Sequence, residues 1–374
     1  MTGYCLTQAR VLTPQGWSNA PLAFGTHIGE GDQTLDASGL WALPGIIDLH
    51  GDGFERHVAP RRGMLRDFSQ ALSAVEGELA SSGITTAYLA QFVSWEGGMR
   101  GPEFARDFAQ GMAEYPALLD MRMQLRLETH FFEGFETALE IIETHGLDFL
   151  VLNDHLPHKA LAAGKRPPGL VGQALKAKQS PEAHLAMLEK LHAAAPLVSD
   201  KLKDLIEQLP GGVVVGSHDD PDAATRHKMA KLGARLSEFP ESFDALEAAK
   251  EQNAPIVLGA PNLVRGKSHK GNLAVADVIR AGYEVALVSD YHYPSLCAAV
   301  VLLADQGMAF EKAWRFVSEI PARAMGWTDR GHLADGARAD VVLFDPRSQQ
   351  IVATFAAGKP AYVAPPLLAR WLAA

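Results

Sequence analysis

The chain has 374 residues, of which 47% are hydrophobic and 21% are charged, and its formal net charge at pH 7 is −10. This length exceeds the size at which a single core usually stops growing, so a large domain with a smaller one is expected. The acidic balance argues against a nucleic-acid partner, because phosphates require a net basic face.

The two cysteines, Cys5 and Cys297, lie far apart and show neither metal-ligand nor redox spacing. Both are therefore predicted to be reduced thiols in a reducing compartment. No apolar run reaches membrane-spanning length, and the first ten residues lack a basic region followed by an apolar core. We expect a cytoplasmic protein with no membrane partner.

Both ends of the chain carry short strand-like segments separated by Gly and Pro. These segments cover residues 10–13, 21–24, 339–344, 351–355 and 360–363. Neither end can bury a sheet alone, so residues 1–41 and 333–374 are predicted to form one small composite β domain.

Between the ends, residues 42–332 alternate between apolar strands and helical stretches. The eight predicted strands are 42–50, 83–91, 121–129, 147–155, 211–219, 232–240, 254–262 and 283–291. Six helical stretches separate most of them, at 68–81, 133–145, 182–193, 222–232, 243–252 and 272–281. This alternation predicts an α/β fold, a (β/α)8 TIM-type barrel with a small β-sandwich domain built from both termini. Residues 159–178, rich in Gly, Ala, Pro and Lys, are predicted to form a long loop over the barrel mouth.

The first barrel strand ends in two side chains that can bind a metal ion. The segment 43–52 has the sequence Leu-Pro-Gly-Ile-Ile-Asp-Leu-His-Gly-Asp. His50 and Asp52 are two residues apart, so the pleat of a strand points both the same way. An imidazole nitrogen beside a carboxylate oxygen is half of a first-row metal site. The alternative is a structural histidine and a loop aspartate, but further acid and imidazole groups downstream favour the metal.

Similar groups recur where other predicted strands end, which is where barrel enzymes place their reactive residues. The candidates are Glu128 and His130, Asn153, Asp154 and His155, His218, Asp219 and Asp220, Glu238, and Asp290. Burying so many carboxylates together would be unfavourable unless a cation compensates. Six or more ligand-type side chains suggest two divalent ions.

Each candidate also has a structural interpretation. Glu128 could cap the next helix or pair with Arg126, and Asp219 or Asp220 could cap the helix that follows. Glu238 could bind metal, orient a ligand histidine or hold substrate. Three histidines in predicted helices are expected to be surface or packing residues: His145, His184 and His192.

Taken together, these residues resemble the amidohydrolase superfamily, whose first strand normally ends His-x-His and whose eighth ends in a catalytic Asp. The segment 331–344, Gly-His-Leu-Ala-Asp-Gly-Ala-Arg-Ala-Asp-Val-Val-Leu-Phe, resembles that superfamily's return to its β domain. The His-x-Asp variant and the elements at 217–220, 238–240, 259–269 and 289–291 are similar to its phosphonate-utilisation branch.

The resemblance implies a metal-dependent hydrolase that releases pyrophosphate from a ribose 5-triphosphate, a phosphoric anhydride diphosphatase. The implied metal ligands are His50, Asp52, Glu128, His155, His218 and Asp290. By this pattern Glu128 bridges two ions, Asp290 takes a proton from the attacking water, and His218 is the second catalytic residue. The mixed N/O ligand set suits Zn²⁺ first, with Mn²⁺ and Fe²⁺ as alternatives.

A triphosphate also requires cations, and basic residues cluster at 55–62 and 265–270. The predicted substrate-binding residues are Arg56, Arg61, Glu238, Asn262, Arg265, Lys267 and His269. The alternative interpretation of such runs is a solvated basic loop.

Two segments depart from the branch's pattern. The chain after His155 lacks the usual Gly-Gln and tyrosine-rich stretch, and the eighth-strand element has one residue displaced. These departures keep the metal ligands and leave open the exact phosphorylated ribose that is bound. A C–N hydrolase, such as a deacetylase or cyclic amidase, is the alternative within the superfamily, and a catalytically silent barrel is the third hypothesis. A homodimer is expected, because two-fold dimers are the commonest oligomers.

Overall fold

The computed structural model describes residues 3–61, 64, 67–266 and 273–373. They divide into two compact units. The first unit comprises Met1–Leu89, Tyr115–Arg122 and Val257–Ala374, and the second comprises Ala90–Glu114 and Met123–Ile256. The predicted domain boundaries at 41/42 and 332/333 follow a different division and stay a prediction.

The chain begins with six short strands. They are β1 (Tyr4–Thr7), β2 (Arg10–Thr13), β3 (Gly16–Ser18), β4 (Leu22–Phe24), β5 (Gln33–Asp36) and β6 (Trp41–Pro44). Strand β1 lies between antiparallel β4 and parallel β5 in a three-stranded sheet. The predicted strand over 42–50 combined β6 with the first barrel strand. Two strands form instead because the Gly45 amide donates to the carbonyl of Asp340, at 2.8 Å.

The eight barrel strands follow in chain order within one sheet. They are β7 (Ile46–Gly51), β8 (Ile84–Val93), β9 (Asp120–Glu128), β10 (Phe149–Asn153), β11 (Val214–His218), β12 (Leu236–Glu238), β13 (Ile256–Gly259) and β14 (Ala286–Val288). Each overlaps its predicted segment, and the pairs described within each unit are parallel. Gly51 also bridges in parallel to Asp290, just after β14, so the first and eighth strands meet. The predicted eight-stranded barrel is confirmed.

Helices occupy most of the connections between these strands. They are α1 (Glu55–Val58), α2 (Phe68–Ser81), α3 (Pro102–Glu114), α4 (Phe135–His145), α5 (His158–Ala162), α6 (Leu170–Lys176), α7 (Pro181–Ala193), α8 (Val198–Gln208), α9 (Ala223–Lys231), α10 (Phe243–Glu251), α11 (Ala260–Arg265), α12 (Val275–Arg280), α13 (Ser295–Asp305), α14 (Phe310–Arg315) and α15 (Glu319–Ala324). Three short 3-10 helices lie at Gly98–Arg100, Phe132–Gly134 and Ala195–Leu197. All six predicted helical stretches contain a helix.

The predicted long loop over 159–178 is wrong, because most of α5 and all of α6 lie within it. Leu170 and Ala174 are four residues apart and buried on one face of α6. Leu170 packs with Trp95 and Leu188 in a small apolar cluster of the second unit. Gly169 is the N-cap of α6, so a glycine of this segment starts a helix and does not prevent it.

The chain ends with β15 (Val341–Asp345), β16 (Gln350–Ala356), β17 (Lys359–Val363) and helix α16 (Pro365–Leu372). These strands join three from the start of the chain in a six-stranded sheet of order β17-β16-β15-β6-β2-β3. Apolar residues from both ends, among them Phe24, Val341 and Phe355, share one core. The prediction that both termini build β-sheets together is confirmed. In the part of the chain that the structure describes, no helix is long and apolar enough to cross a membrane.

Candidate metal centre

The first cluster of ligand-type groups lies in the first unit, where β7 meets the residues after β14. His50, Asp52 and Asp290 place one ligand atom each within 4.8 Å of one another. The Asp290 amide donates to the His50 carbonyl (3.0 Å), and the Asp52 amide donates to the Asp290 carbonyl (2.8 Å). Backbone pairing between the first and eighth strands therefore positions all three side chains.

A buried carboxylate that the sequence-based predictions missed supports this cluster. Asp48 is 0% exposed and accepts hydrogen bonds from the Ser289 amide (3.0 Å) and hydroxyl (2.5 Å) and from the His50 amide (3.3 Å). Burial raises the pKa of Asp48, and these hydrogen bonds oppose the rise. Asp48 connects β7 to the end of β14 and orients the segment that carries His50. Its spacing was a usable signal, since Asp48, His50 and Asp52 follow one period-2 series.

Only glycine fits at position 51, close to the Asp48 side chain. A Cβ atom on Gly51 would lie 2.8 Å from Cε1 of Tyr293 and 2.9 Å from a carboxylate oxygen of Asp48. At the neighbouring position Asp290 has a φ of +54°, a left-handed conformation that Asp and Asn tolerate better than most residues. The close approach of the two strands thus depends on particular residue types at both positions.

The second cluster lies in the second unit, at the ends of β9, β10 and β11. His155, His218 and Asp219 place one ligand atom each within 4.8 Å of one another. The fully buried Glu128 carboxylate lies 2.5 Å from Nδ1 of His155 and accepts the His155 amide at 3.1 Å. The sequence-predicted residues Glu128, His155 and His218 therefore belong to one part of the structure.

His218 is held as a neutral imidazole. Burial, with the Arg126 guanidinium as a further cause, lowers its pKa to about 4, although Asp219 opposes the shift. Arg126 Nη2 lies 2.9 Å from His218 Nε2 and also donates to the side-chain oxygen of Asn153 at 2.9 Å. Since Arg126 has only donors, Nε2 accepts and the ring proton lies on Nδ1. A neutral ring is the form that binds metal ions, and a metal ion on Nε2 would replace the contact with Arg126.

Glu238 is fully buried beside His218. One carboxylate oxygen accepts from Gln124 Nε2 at 2.9 Å, and the other lies 3.7 Å from His218 Nε2. The three roles considered for Glu238 therefore stay predictions.

The acidic residues after His218 have different environments. Asp220 is 2% exposed, accepts the Ser217 hydroxyl at 2.5 Å and pairs with Arg226 at 3.4 Å. The cap of α9 is Asp222, whose side chain accepts from the Thr225 amide at 2.8 Å. Asp220 therefore anchors the segment after β11, and the suggestion that Asp219 or Asp220 caps this helix is wrong.

The low pKa of His218 makes the metal-free protein sensitive to acid. In the unfolded chain this ring binds a proton near pH 6.5, whereas in the folded chain it does so only near pH 4. The stabilisation that this group contributes is therefore fully present above pH 6.5. It is lost as the pH drops towards 4, which lowers the free energy of unfolding by about 3 kcal/mol. We expect His218→Asn to lose less unfolding free energy than the parent between pH 7 and 4.5, in urea titrations of metal-free protein. Identical pH dependence in the two proteins would contradict the assignment.

Comparisons with known proteins agree with this fold. A model of the amidohydrolase family matches residues 191–362. The chain is 28% identical over 329 residues to α-D-ribose 1-methylphosphonate 5-triphosphate diphosphatase of Escherichia coli (strain K12), covering 85% of this chain and 87% of that protein. A β-aspartyl dipeptidase structure from Fervidobacterium islandicum AW-1 aligns with a TM-score of 0.62 at 16% identity, covering 97% of both chains. An N-acetylglucosamine-6-phosphate deacetylase structure from Pasteurella multocida aligns with a TM-score of 0.61 at 13% identity, covering 96% of this chain and 99% of that one.

The family model and the diphosphatase relative confirm the expected resemblance to the amidohydrolase superfamily. The matching family model spans the ends of β11 to β14, where His218 and Asp290 lie, and extends into the C-terminal strands. The two structural likenesses show the fold alone, since their sequence identities are low.

Among the predicted phosphate contacts, Arg56 is already engaged by protein groups. It donates to the carbonyl of Tyr291 at 2.9 Å, forms an ion pair with Glu78 on α2, and lies 5.6 Å from the ring centroid of Tyr293. Arg61, the other predicted phosphate contact in this region, is exposed.

The remaining predicted substrate contacts lie on or after α11. Asn262 bonds to the carbonyl of Leu273 (3.1 Å) and to the amide of Val275 (3.1 Å), so it holds the start of α12 against α11. Arg265 ends α11, and its guanidinium carbon lies 5.5 Å from the ring centroid of Tyr291. Two predicted residues lie outside the described residues: Lys267 and His269.

Proposed function

We propose a binuclear metal centre, as the resemblance implies. Its ligands are His50, Asp52, Glu128, His155, His218 and Asp290. The support is that each residue lies at or just after the carboxyl end of a strand in one parallel sheet, the end at which barrel enzymes assemble their sites. The donor set of imidazole and carboxylate groups suits divalent ions, with Zn²⁺ first and Mn²⁺ or Fe²⁺ as alternatives.

Divalent ions held there would lower the pKa of bound water to about 7 and neutralise charge on a transferred phosphoryl group. The protein's own contribution is to hold the groups around the reaction. Asp290 accepts the proton of the attacking water, and its backbone bonds to His50 and Asp52 fix its position. Burial keeps the His218 ring neutral, and the nearby Arg126 guanidinium contributes to this.

The substrate that we propose is α-D-ribose 1-methylphosphonate 5-triphosphate or a closely related phosphorylated ribose, from which pyrophosphate is released. The similarity to the E. coli diphosphatase supports this class of substrate. The main structural support for a phosphorylated substrate is the location of Arg265. Its guanidinium lies over the ring of Tyr291, the residue that follows the proposed base Asp290. A fixed cation there is suited to bind a phosphate oxygen of the substrate. Both cysteines are free, in keeping with the proposed cytoplasmic location.

The role of Arg265 can be tested by measuring pyrophosphate release from ribosyl and nucleoside triphosphates with metal-reconstituted protein. We expect Arg265→Ala to lower kcat/KM about 10- to 150-fold, the loss of one charge-assisted hydrogen bond. The matched control is Arg280→Ala, which removes an exposed arginine that pairs with Asp277 on the same helix, α12.

Equal kcat/KM values for Arg265→Ala and the parent would contradict the phosphate contact. Turnover of neutral amides, unaffected by Arg61→Ala or Arg265→Ala, would instead support a C–N hydrolase. Protein that retains no stoichiometric divalent metal after gentle purification would support the scaffold hypothesis.

A further inference from the structure

A third group of metal-ligand side chains lies in the second unit and is not used by the proposed centre. We call it the outer cluster, and it consists of His130, Asp154 and His158. One ligand atom from each lies within 4.8 Å of the others. His130 Nδ1 is 3.6 Å from an Asp154 oxygen, and His158 Nε2 is 2.9 Å from the other oxygen. These residues come from three neighbouring segments: the turn after β9, the turn after β10, and the start of α5.

The separations match those of ligands around one small ion. Zinc ligands lie about 2.0–2.2 Å from the metal, so neighbouring ligand atoms of a tetrahedral site are about 3.4 Å apart. The two distances from Asp154 lie on either side of that value. The His130 side chain is only 6% exposed, whereas those of His158 and Asp154 are 34% and 41% exposed. An ion could therefore enter from solvent and contact a buried imidazole.

A fourth residue fixes the orientation of His158. Its Nδ1 atom lies 2.7 Å from Nδ1 of His192 on α7, so the two nitrogens share one proton between them. When that proton is on His158, its Nε2 carries the lone pair directed at the outer cluster. Metal-binding histidines commonly donate their other ring N–H to such a partner, which sets the tautomer and the ring orientation.

We propose that the outer cluster binds a third divalent transition-metal ion, of which Zn²⁺ is the best match. His130 Nδ1, an Asp154 oxygen and His158 Nε2 supply three protein ligands, and a water or a substrate oxygen completes the coordination. His192 is a positioning residue that acts through His158. None of these four residues belongs to the proposed binuclear centre, so the proposal does not rest on that centre.

The test is a count of bound ions on the full chain. Chelator-stripped protein is dialysed to equilibrium against Zn²⁺, and metal per chain is measured by elemental analysis. We expect His158→Ala and His130→Ala each to bind one ion fewer than the parent. The matched control, His145→Ala at the end of α4, should bind the same number as the parent. Because the readout is a difference, it holds whether the binuclear centre contains two ions, one or none.

Two further measurements distinguish an ion site from a hydrogen-bonded ion pair. His192→Ala should keep the stoichiometry of the parent but weaken binding of the extra ion about 10- to 100-fold. With Co²⁺ as the probe, His158→Gln should show less visible absorption per chain than the parent, while its circular dichroism is unchanged. Equal ion counts for the parent and His158→Gln, with only a lower Tm in the variant, would overturn the proposal.

Discussion

Asp290→Asn is expected to lower the rate of pyrophosphate release by a factor of about 10² to 10⁴, the usual contribution of a general base. The amide cannot accept the proton of the attacking water. It is nearly isosteric with the carboxylate, and Asn tolerates the left-handed φ of +54° at this position. The backbone bonds of residue 290 to His50 and Asp52 do not involve its side chain. The fold and most of the bound metal should therefore be retained.

The measurement is single-turnover pyrophosphate release, with metal content and circular dichroism determined on the same samples. A matched control is Asp277→Asn, which removes an exposed carboxylate of α12 that pairs with Arg280. Turnover of the control should equal that of the parent. Full activity of Asp290→Asn would remove Asp290 from the mechanism, whereas loss of all metal would make it chiefly a ligand.

The largest expected effect on stability is that of Arg226→Met, a loss of about 3–5 kcal/mol in the free energy of unfolding. Arg226 is fully buried and donates to the Ser217 hydroxyl at 2.7 Å, to the Leu236 carbonyl at 3.3 Å and to Gln252 at 3.1 Å. It also pairs with the buried Asp220. Methionine fills much of the same volume but leaves that carboxylate without its cation.

Urea titrations near pH 7 would measure this loss. Arg235→Met is the control, since Arg235 is exposed and its replacement should change stability by less than about 0.5 kcal/mol. Asp220→Asn combined with Arg226→Met should recover part of the loss, because the stranded charge is removed. A loss below about 1 kcal/mol in the single variant would show that the pair contributes little.

The regular elements of this protein are encoded locally in its sequence. Helix α2 occupies the predicted stretch 68–81, and its cap, Asp67, accepts from the Gln70 amide. Strand and helix periodicity are local, so a single sequence displays them. Short helices such as α6 were missed because their few buried residues are framed by Gly and Pro.

The residues that surround the candidate site were harder to predict. Asp48 meets Ser289 across 241 positions of sequence, and His158 meets His192 across 34. No local pattern relates such partners, because their contact depends on which strands and helices become neighbours. The packing also determines that Asp220 pairs with Arg226 and that Asp222 caps α9.

The sequence by itself thus determined the alternation of strands and helices and the ligand-type residues at the strand ends. It could do so because backbone periodicity and side-chain chemistry are properties of short segments. Only the tertiary structure decided that Asp48 supports the first cluster and that burial and Arg126 keep His218 neutral. It also decided that three further residues lie next to one another: His130, Asp154 and His158. Those outcomes depend on desolvation and on distances between segments remote in the chain, which arise only when the elements pack.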